Sequence, residues 1–149
     1  MPLPKFDVKL AYRLFDVKTT YGDQLLEKPL ISRNRAFANL GYEFNGWKFD
    51  YTFTYSGKKR LPSTASNPVE YQRPDYSPSF VMMNAQVSKT VGTKNPLEIY
   101  IGGENLTNYF QKDAIIAANE PFNNYFDASL VWGSVTGRMF YGGVRFRIK

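Results

Sequence analysis

Apolar and polar residues alternate without exception along the middle of the chain. Every second residue from Trp47 is aromatic, and the residues between are polar: Trp47, Phe49, Tyr51, Phe53 and Tyr55 alternate with Lys48, Asp50, Thr52 and Thr54. A period of two places the two sets on opposite faces of a β-strand. Residues 35–44 alternate in a similar way, and Asn45-Gly46 supplies the two positive φ angles of a type I′ turn. The pattern predicts a β-hairpin over residues 35–55.

The two-residue turn also predicts the register of this hairpin. On the apolar face it pairs Phe44 with Trp47, Tyr42 with Phe49 and Leu40 with Tyr51. On the other face it pairs Glu43 with Lys48, whose opposite charges attract across neighbouring strands. The apolar and polar sets therefore stay separate through the turn.

The remaining segments divide into strands and loops by the same criterion. Four further segments alternate as strands do: residues 6–15, 80–91, 97–105 and 138–148. Three segments without regular alternation are predicted loops: residues 16–32, 57–79 and 106–136. The second of these loops contains four prolines, a density that no strand or helix interior tolerates. Within the third, residues 114–118 are a predicted helical turn.

These elements predict an all-β fold, an antiparallel up-and-down meander of about six long strands. The predicted strands approach the ~9–11 residues that cross a bilayer when tilted and exceed the ~5–6 residues of typical soluble sheets. Long and short connections alternate, so every short turn lies at one end of the sheet, as in outer-membrane barrels. Alternation alone leaves open which face is interior. Strand length and loop asymmetry favour a transmembrane β-barrel segment with its apolar face towards lipid over a soluble barrel with that face inside.

Composition excludes several kinds of chemistry. The 149 residues include no Cys and no His, which excludes disulfides, thiolate nucleophiles, imidazole bases and the usual zinc ligands. The net charge is +6, but the basic residues are scattered, so no nucleic-acid partner is predicted. Loop carboxylates lack the spacing of a calcium site, so no metal or cofactor is predicted. The polar set predicted to face inward contains no triad, so we predict no enzyme and no catalytic residue: Lys48, Asp50, Thr52, Asn84, Gln86 and Glu104.

The first residues of the chain, Met1–Asp7, carry charges where a signal peptide would have its apolar segment. An outer-membrane protein complete in itself should carry such a signal. We therefore expect the 149 residues to be a piece of a longer protein.

Candidate binding residues lie in the two longest predicted loops, which are rich in aromatic and amide side chains. The predicted ligand-binding residues are Tyr71, Arg73, Tyr76, Tyr109, Phe110, Asn124, Tyr125 and Trp132. Such residues favour two interpretations: loops that pack on each other, or a rim whose rings stack on a ligand and whose amides hydrogen-bond to it. Packing is the commoner role.

Two short motifs are given no function. The basic run at residues 57–60 lacks the spacing of a phosphate-binding loop and is predicted to be a solvated strand end. The Asn105-Leu-Thr pattern fits a glycosylation acceptor, but a three-residue match of this kind is expected by chance.

The segment Gly102-Gly-Glu-Asn-Leu-Thr-Asn-Tyr109 carries a family resemblance. It resembles the end of the penultimate barrel strand of TonB-dependent outer-membrane receptors, in which Glu-Asn-Leu-Thr-Asn recurs. The closing segment from Gly137 to Lys149 resembles their last strand, in the style of receptors from Bacteroidota. The resemblance covers essentially the whole chain. It implies that residues 1–149 are the C-terminal segment of a barrel of about twenty-two strands.

The resemblance implies a function without chemistry. Loops capture a nutrient ligand such as an iron chelate, glycan, peptide or cofactor, and energy transmitted by TonB rearranges a plug domain. The implied location is the outer membrane of a Gram-negative bacterium. The implied partners are outer-membrane lipid, the remaining barrel strands, the plug domain, TonB and a surface lipoprotein. Six strands are too few to close a membrane barrel, so we expect the plug and the earlier strands to lie outside these residues.

A second class of function stays open from the sequence. A soluble β-barrel or sandwich domain that binds a small apolar ligand or a protein partner would show the same alternation with its apolar face turned inward. Solubility without detergent distinguishes the two, because only the soluble domain buries its apolar face within itself.

Overall fold

Six antiparallel strands in chain order form the main sheet of the protein. The computed structural model describes residues 5–93, 95–146 and 148. The sheet contains β1 (Phe6–Leu14), β4 (Asn34–Phe44), β5 (Trp47–Ser56), β6 (Phe80–Val91), β7 (Leu97–Glu104) and β8 (Met139–Phe146), and a two-stranded sheet contains β2 (Lys18–Tyr21) and β3 (Gln24–Glu27). Neighbours in the main sheet are consecutive in the order β1-β4-β5-β6-β7-β8, so the predicted all-β meander is confirmed. The sheet is open, with β1 and β8 at its edges.

The central hairpin has the predicted turn and register. Asn45 and Gly46 have φ angles of 47° and 75°, as a type I′ turn requires. Phe44 pairs with Trp47, and all the predicted partners along β4 and β5 follow. Lys48 Nζ lies 3.4 Å from Glu43 Oε1, an exposed ion pair that contributes at most about 1 kcal/mol. Register therefore comes from the turn and the apolar face, and the ion pair adds little.

The short connections lie together at one end of the sheet and the long ones at the other. The β4–β5 turn contacts the end of β6, just before the β6–β7 turn, since Thr90 N donates to Gly46 O over 2.7 Å. At the opposite end a bridge between Ser32 and Lys59 joins the connection before β4 to the β5–β6 connection, and a bridge between Arg60 and Tyr76 closes the β5–β6 connection on itself. The predicted asymmetry of the connections is confirmed.

Two local predictions need correction. Residues 16–32 are not all loop, because β2 and β3 form a hairpin at Gly22-Asp23, with Gly22 at a φ of 59°. Gly-Asp is itself a hairpin signal, but the two strands that it joins are only four residues long, too short for a clear alternation. The predicted helical turn at 114–118 is wrong: Ile116 forms a β-bridge with Asp127, and Ala117 has a φ of 52°, which no right-handed helix contains. Of the predicted strand 138–148, Arg147 lies outside the described residues.

The main sheet has one apolar and one polar face, and no other part of the described chain covers the apolar face. On the apolar face, large side chains are exposed, with Leu10 at 76%, Ile101 at 65% and Phe140 at 71%. Among the described residues, the buried apolar side chains are Leu61, Ile116 and Leu130, all in the long connections. The apolar face of the sheet thus forms no core of its own, and the buried core lies among the loops.

Trp47, Phe49, Tyr51 and Phe53 lie on this uncovered face and not in an enclosed core. Trp47 and Phe49 are each 42% exposed, and their rings stack with centroids 6.2 Å apart. Lys89 lies on the same face with its Nζ 5.1 Å from the Trp47 ring centroid. No helix of the described residues is long and apolar enough to cross a membrane.

We predict that Gly46→Ala destabilises the fold more than Gly22→Ala. Both glycines have positive φ, so each alanine meets the same backbone penalty of about 1–2 kcal/mol. A Cβ at Gly46 would lie 2.7 Å from Thr90 O, whereas a Cβ at Gly22 would meet nothing within 4 Å. The free energy of unfolding in urea, measured in detergent micelles, gives the comparison. Equal losses would show that contact between the β4–β5 turn and the end of β6 does not constrain the hairpin.

Candidate ligand-binding site

The polar face of the sheet carries a hydrogen-bonded network of side chains. Asn39 Nδ2 donates to Thr52 Oγ1 over 3.0 Å and lies 3.2 Å from Asp50 Oδ1. Further along the sheet, Arg145 Nη1 donates to Glu98 Oε2 over 2.7 Å. Because β-strand side chains alternate, these groups all project from the face opposite the apolar side chains. The predicted separation of the polar set is confirmed.

Glycines on the polar face make room for two tyrosine rings. A Cβ at Gly102 would lie 2.4 Å from Tyr141 Cζ, and a Cβ at Gly143 would lie 2.4 Å from the Tyr100 hydroxyl. The two rings lie 6.4 Å apart, and Tyr141 OH donates to Gln86 Oε1 over 3.1 Å. Each ring thus covers backbone that a larger residue would occupy, which explains glycine within these strands.

The Asn105 side chain marks the end of β7, where its amide hydrogen-bonds to backbone groups that have no strand partner. Asn105 is 3% exposed and has a φ of 50°, a conformation that asparagine tolerates. Its Nδ2 donates to the carbonyls of Tyr109 (2.7 Å) and Thr136 (3.1 Å), and its Oδ1 accepts from Tyr109 N (3.1 Å). A buried amide that joins both ends of the long β7–β8 connection is not accessible for glycosylation, so the chance interpretation of Asn105-Leu-Thr holds.

Two other residues of the Glu104–Asn108 segment attach the connection to the neighbouring strands. Thr107 Oγ1 donates to the Val81 carbonyl over 2.8 Å, at the start of β6. Asn108 Oδ1 accepts from Arg138 N over 2.9 Å, just before β8. The recurrent Asn-Leu-Thr-Asn sequence therefore has a structural role here: it positions the long loop above β6, β7 and β8.

An aromatic cluster packs the β7–β8 connection against the top of β6. The rings of Phe80 and Tyr109 stack with centroids 4.8 Å apart and planes 3° apart, and Trp132 lies 6.0 Å from Phe80. Burial raises the pKa of the Tyr109 phenol. Gln111, which is 7% exposed, accepts from Trp132 N over 2.8 Å and donates to Leu130 O over 2.9 Å. The cluster is thus held by one buried amide.

A second cluster joins the two longest loops. The rings of Tyr71 and Tyr125 stack with centroids 5.2 Å apart. Asn123 Nδ2 donates to Tyr71 OH over 3.2 Å and to Glu120 Oε2 over 2.5 Å. These contacts show that the loop aromatics pack on each other, as the commoner interpretation holds.

The eight predicted binding residues do not form one site. Tyr71 and Tyr125 belong to the second cluster, and Tyr109 and Trp132 to the first. Trp132 also lines, together with Arg73 and Tyr76, a cleft of about 350 Å³ between the loops. The Phe110 and Asn124 side chains are exposed apart from these groups. Ligand contact by any of the eight stays a prediction.

A basic cleft that the sequence did not indicate lies at the long-loop end of the polar face. Its cations are Arg13, Arg35 and Lys59, and its volume is about 490 Å³. Arg13 and Arg35 are directly opposite each other in the pairing of β1 with β4, and the same row continues through Ser56 to Phe80. This row of paired residues crosses β1, β4, β5 and β6, and it is the last row on the polar face of these strands before the long connections begin.

The sequence predicted residues 57–60 to be a solvated strand end, but Lys59 is partly buried. Its ammonium group donates to the Trp132 carbonyl and lies 5.6 Å from the Phe80 ring centroid. Burial, and then the positive charge of Arg35, lower the pKa of Lys59. The sequence gives only a weak signal for the basic cleft. Arg13 meets Arg35 through the register of β1 against β4, and the length of the connection between these strands does not predict that register.

The described residues offer cations and aromatic rings, and no grouping for metal binding. Among them, no three His, Cys, Asp or Glu side chains lie together as potential ligands. The basic cleft is suited to hold an anion by hydrogen bonds and charge.

We predict that Asn105→Ala destabilises the protein by roughly 2–4 kcal/mol, because it leaves buried backbone groups of the loop without partners. Asn119→Ala, at an exposed turn position, is the matched control and should change the free energy of unfolding by less than about 0.5 kcal/mol. Asn105→Asp keeps the acceptor and loses the two donated bonds, so its loss should be intermediate. Similar stabilities for the Asn105→Ala and Asn119→Ala variants would contradict the role of Asn105.

Comparison with known proteins yields no match: no protein-family model, curated protein or solved structure is similar to this chain.

Proposed function

We propose that the chain is part of the wall of a TonB-dependent receptor in the outer membrane, a transporter that takes up a nutrient ligand. The observation that carries this proposal is the uncovered apolar face of the main sheet. Side chains such as Leu10 and Phe140 are mostly exposed on it, and each such residue forgoes roughly 1.5–3 kcal/mol that burial would supply. Exposed apolar patches of this extent are typical of surfaces that contact a membrane or another apolar partner.

The sidedness of the sheet supports lipid as that phase. A barrel wall in a membrane has an apolar outer face, a polar inner face, tight turns at one end and long loops at the other. The sheet has one apolar face, one polar face, tight turns at one end and long loops at the other, which supports this part of the proposal. At the short-turn end, Trp47 and Lys89 lie together on the apolar face. Amphipathic rings and lysines of this kind are placed at the level of lipid head groups.

The open edges support the need for further strands. The outer edges of β1 and β8 pair with no strand among the described residues. Unpaired backbone groups in hydrocarbon cost several kcal/mol each, so a membrane sheet of this kind has to continue into additional strands. Under the proposal, those strands and a plug belong to the complete receptor, and the loops contribute to its extracellular rim.

We predict that lipid quenches the fluorescence of Trp47 and leaves that of Trp132 unchanged. The two single-tryptophan variants, Trp132→Phe and Trp47→Phe, are inserted into vesicles of phosphatidylcholine brominated on the acyl chain near the head group. Trp47 lies on the apolar face, whereas Trp132 lies in the loop cluster and donates to Gln111. Each variant is therefore the control for the other.

Two results would contradict the proposed function. One is equal, weak quenching of both tryptophans in vesicles. The other is a monomeric chain that stays soluble without detergent, with its apolar face enclosed. That outcome would favour the soluble domain that binds an apolar ligand or a partner.

A further inference from the structure

The basic cleft concentrates positive charge without a compensating carboxylate. None of the residues that line it is Asp or Glu, although three of them are Arg13, Arg35 and Lys59. In the described part of the chain, neither Arg13 nor Arg35 forms an ion pair. One nearby cation is compensated: Arg33 lies 3.2 Å from Asp16. The basic cleft is therefore distinct from its surroundings.

The pairing of two arginines opposes stability and so needs an explanation. Like charges directly opposite on neighbouring strands repel each other, and Arg13 is directly opposite Arg35. Lys59 adds a third charge close enough to Arg35 to lower the pKa of the lysine. An anion placed among the three would turn this repulsion into attraction, since guanidinium groups bind carboxylate and phosphate in a two-pronged geometry.

The walls of the basic cleft add an apolar component. Phe15, Phe80 and Trp132 line it beside the three cations. Arg13 lies over the Phe15 ring, 5.6 Å from its centroid, and Lys59 lies at the same distance from Phe80. Rings of this kind stack on planar or apolar ligand groups and exclude water, which strengthens the charge interactions beside them.

We infer that the basic cleft binds a small ligand that carries a carboxylate or phosphate group on an apolar or aromatic body. The oxyanion would lie between the guanidinium groups of Arg13 and Arg35, and the body would contact Phe80 and Trp132. This inference rests on the proposed function in one respect, since it places the site on the inner face of the barrel at its outer end. The inference also limits the chemical class of the nutrient ligand to acids that carry a carboxylate or phosphate group.

The test uses Trp132 as the reporter in the Trp47→Phe background, with the full chain in mild detergent. The probes are phenylacetate, its uncharged analogue phenylacetamide, and inorganic phosphate, which has the charge without the ring. We expect a saturable change in Trp132 fluorescence with phenylacetate, at least about tenfold weaker binding of phenylacetamide, and weaker binding of phosphate. Loss of a charge-assisted pair corresponds to about this factor.

Variants separate the site from general charge attraction. Arg35→Gln and Arg13→Gln should each weaken phenylacetate binding about tenfold or more. Lys58→Gln is the matched control: it removes the same charge from an exposed residue that does not line the basic cleft, and it should leave binding unchanged. Far-UV circular dichroism shows whether each variant keeps the strands, and two arginine variants are used so that one folding failure leaves the other informative.

Three outcomes would overturn the inference: equal binding of the acid and the amide, equal weakening by Lys58→Gln and Arg35→Gln, or no binding of any probe by the folded chain. Each is distinguishable from failure of the proposed function. A chain whose Trp47 is quenched by lipid but that binds no acid refutes the ligand class alone. A soluble monomer that binds phenylacetate through Arg35 refutes the barrel and keeps the site.

Discussion

The apolar face of the six-stranded sheet has no covering layer, and most other features of the protein follow from that. Folded chains gain most of their stability by removing apolar surface from water. Here residues such as Ile101 and Val144 stay 65% exposed, while among the described residues the fully buried apolar side chain is Ile116, in a loop. A sheet of this composition needs an apolar environment outside the polypeptide, which is why lipid is the partner we propose.

The long-loop end compensates for the lack of a core within the sheet. Leu61, Ile116 and Leu130 are buried there, and Gln111 and Asn105 satisfy the backbone groups of the β7–β8 connection with their own amides. Buried amides of this kind are effective because each one satisfies several backbone groups that have no strand partner. The loops are therefore ordered by hydrogen bonds and ring stacking, and they form a rigid border around the polar face.

Order in the loops bears directly on binding. Tyr109 stacks on Phe80, and Trp132 packs against Phe80 with its plane tilted by 47°, so part of each ring is already covered by contacts among the loops. Arg13 and Arg35 in the basic cleft, by contrast, form no ion pair within the described residues. Under the proposed function, selectivity for an acid comes from strand residues held in fixed register. The aromatic loops would then serve mainly to shape the entrance.

The sequence by itself determined the sheet. Period-two alternation and Asn45-Gly46 predicted the turn and the register of the central hairpin to the residue, because side-chain direction and turn geometry are local properties. The structure alone decided the site. Arg13 and Arg35 are 22 positions apart, and their meeting depends on a β-hairpin at Gly22-Asp23 within the connection and on the β1–β4 register. Lys59 likewise becomes partly buried only because Trp132, far along the chain, packs over it. Non-local contacts of this kind leave no periodic signal, so tertiary structure was needed to find them.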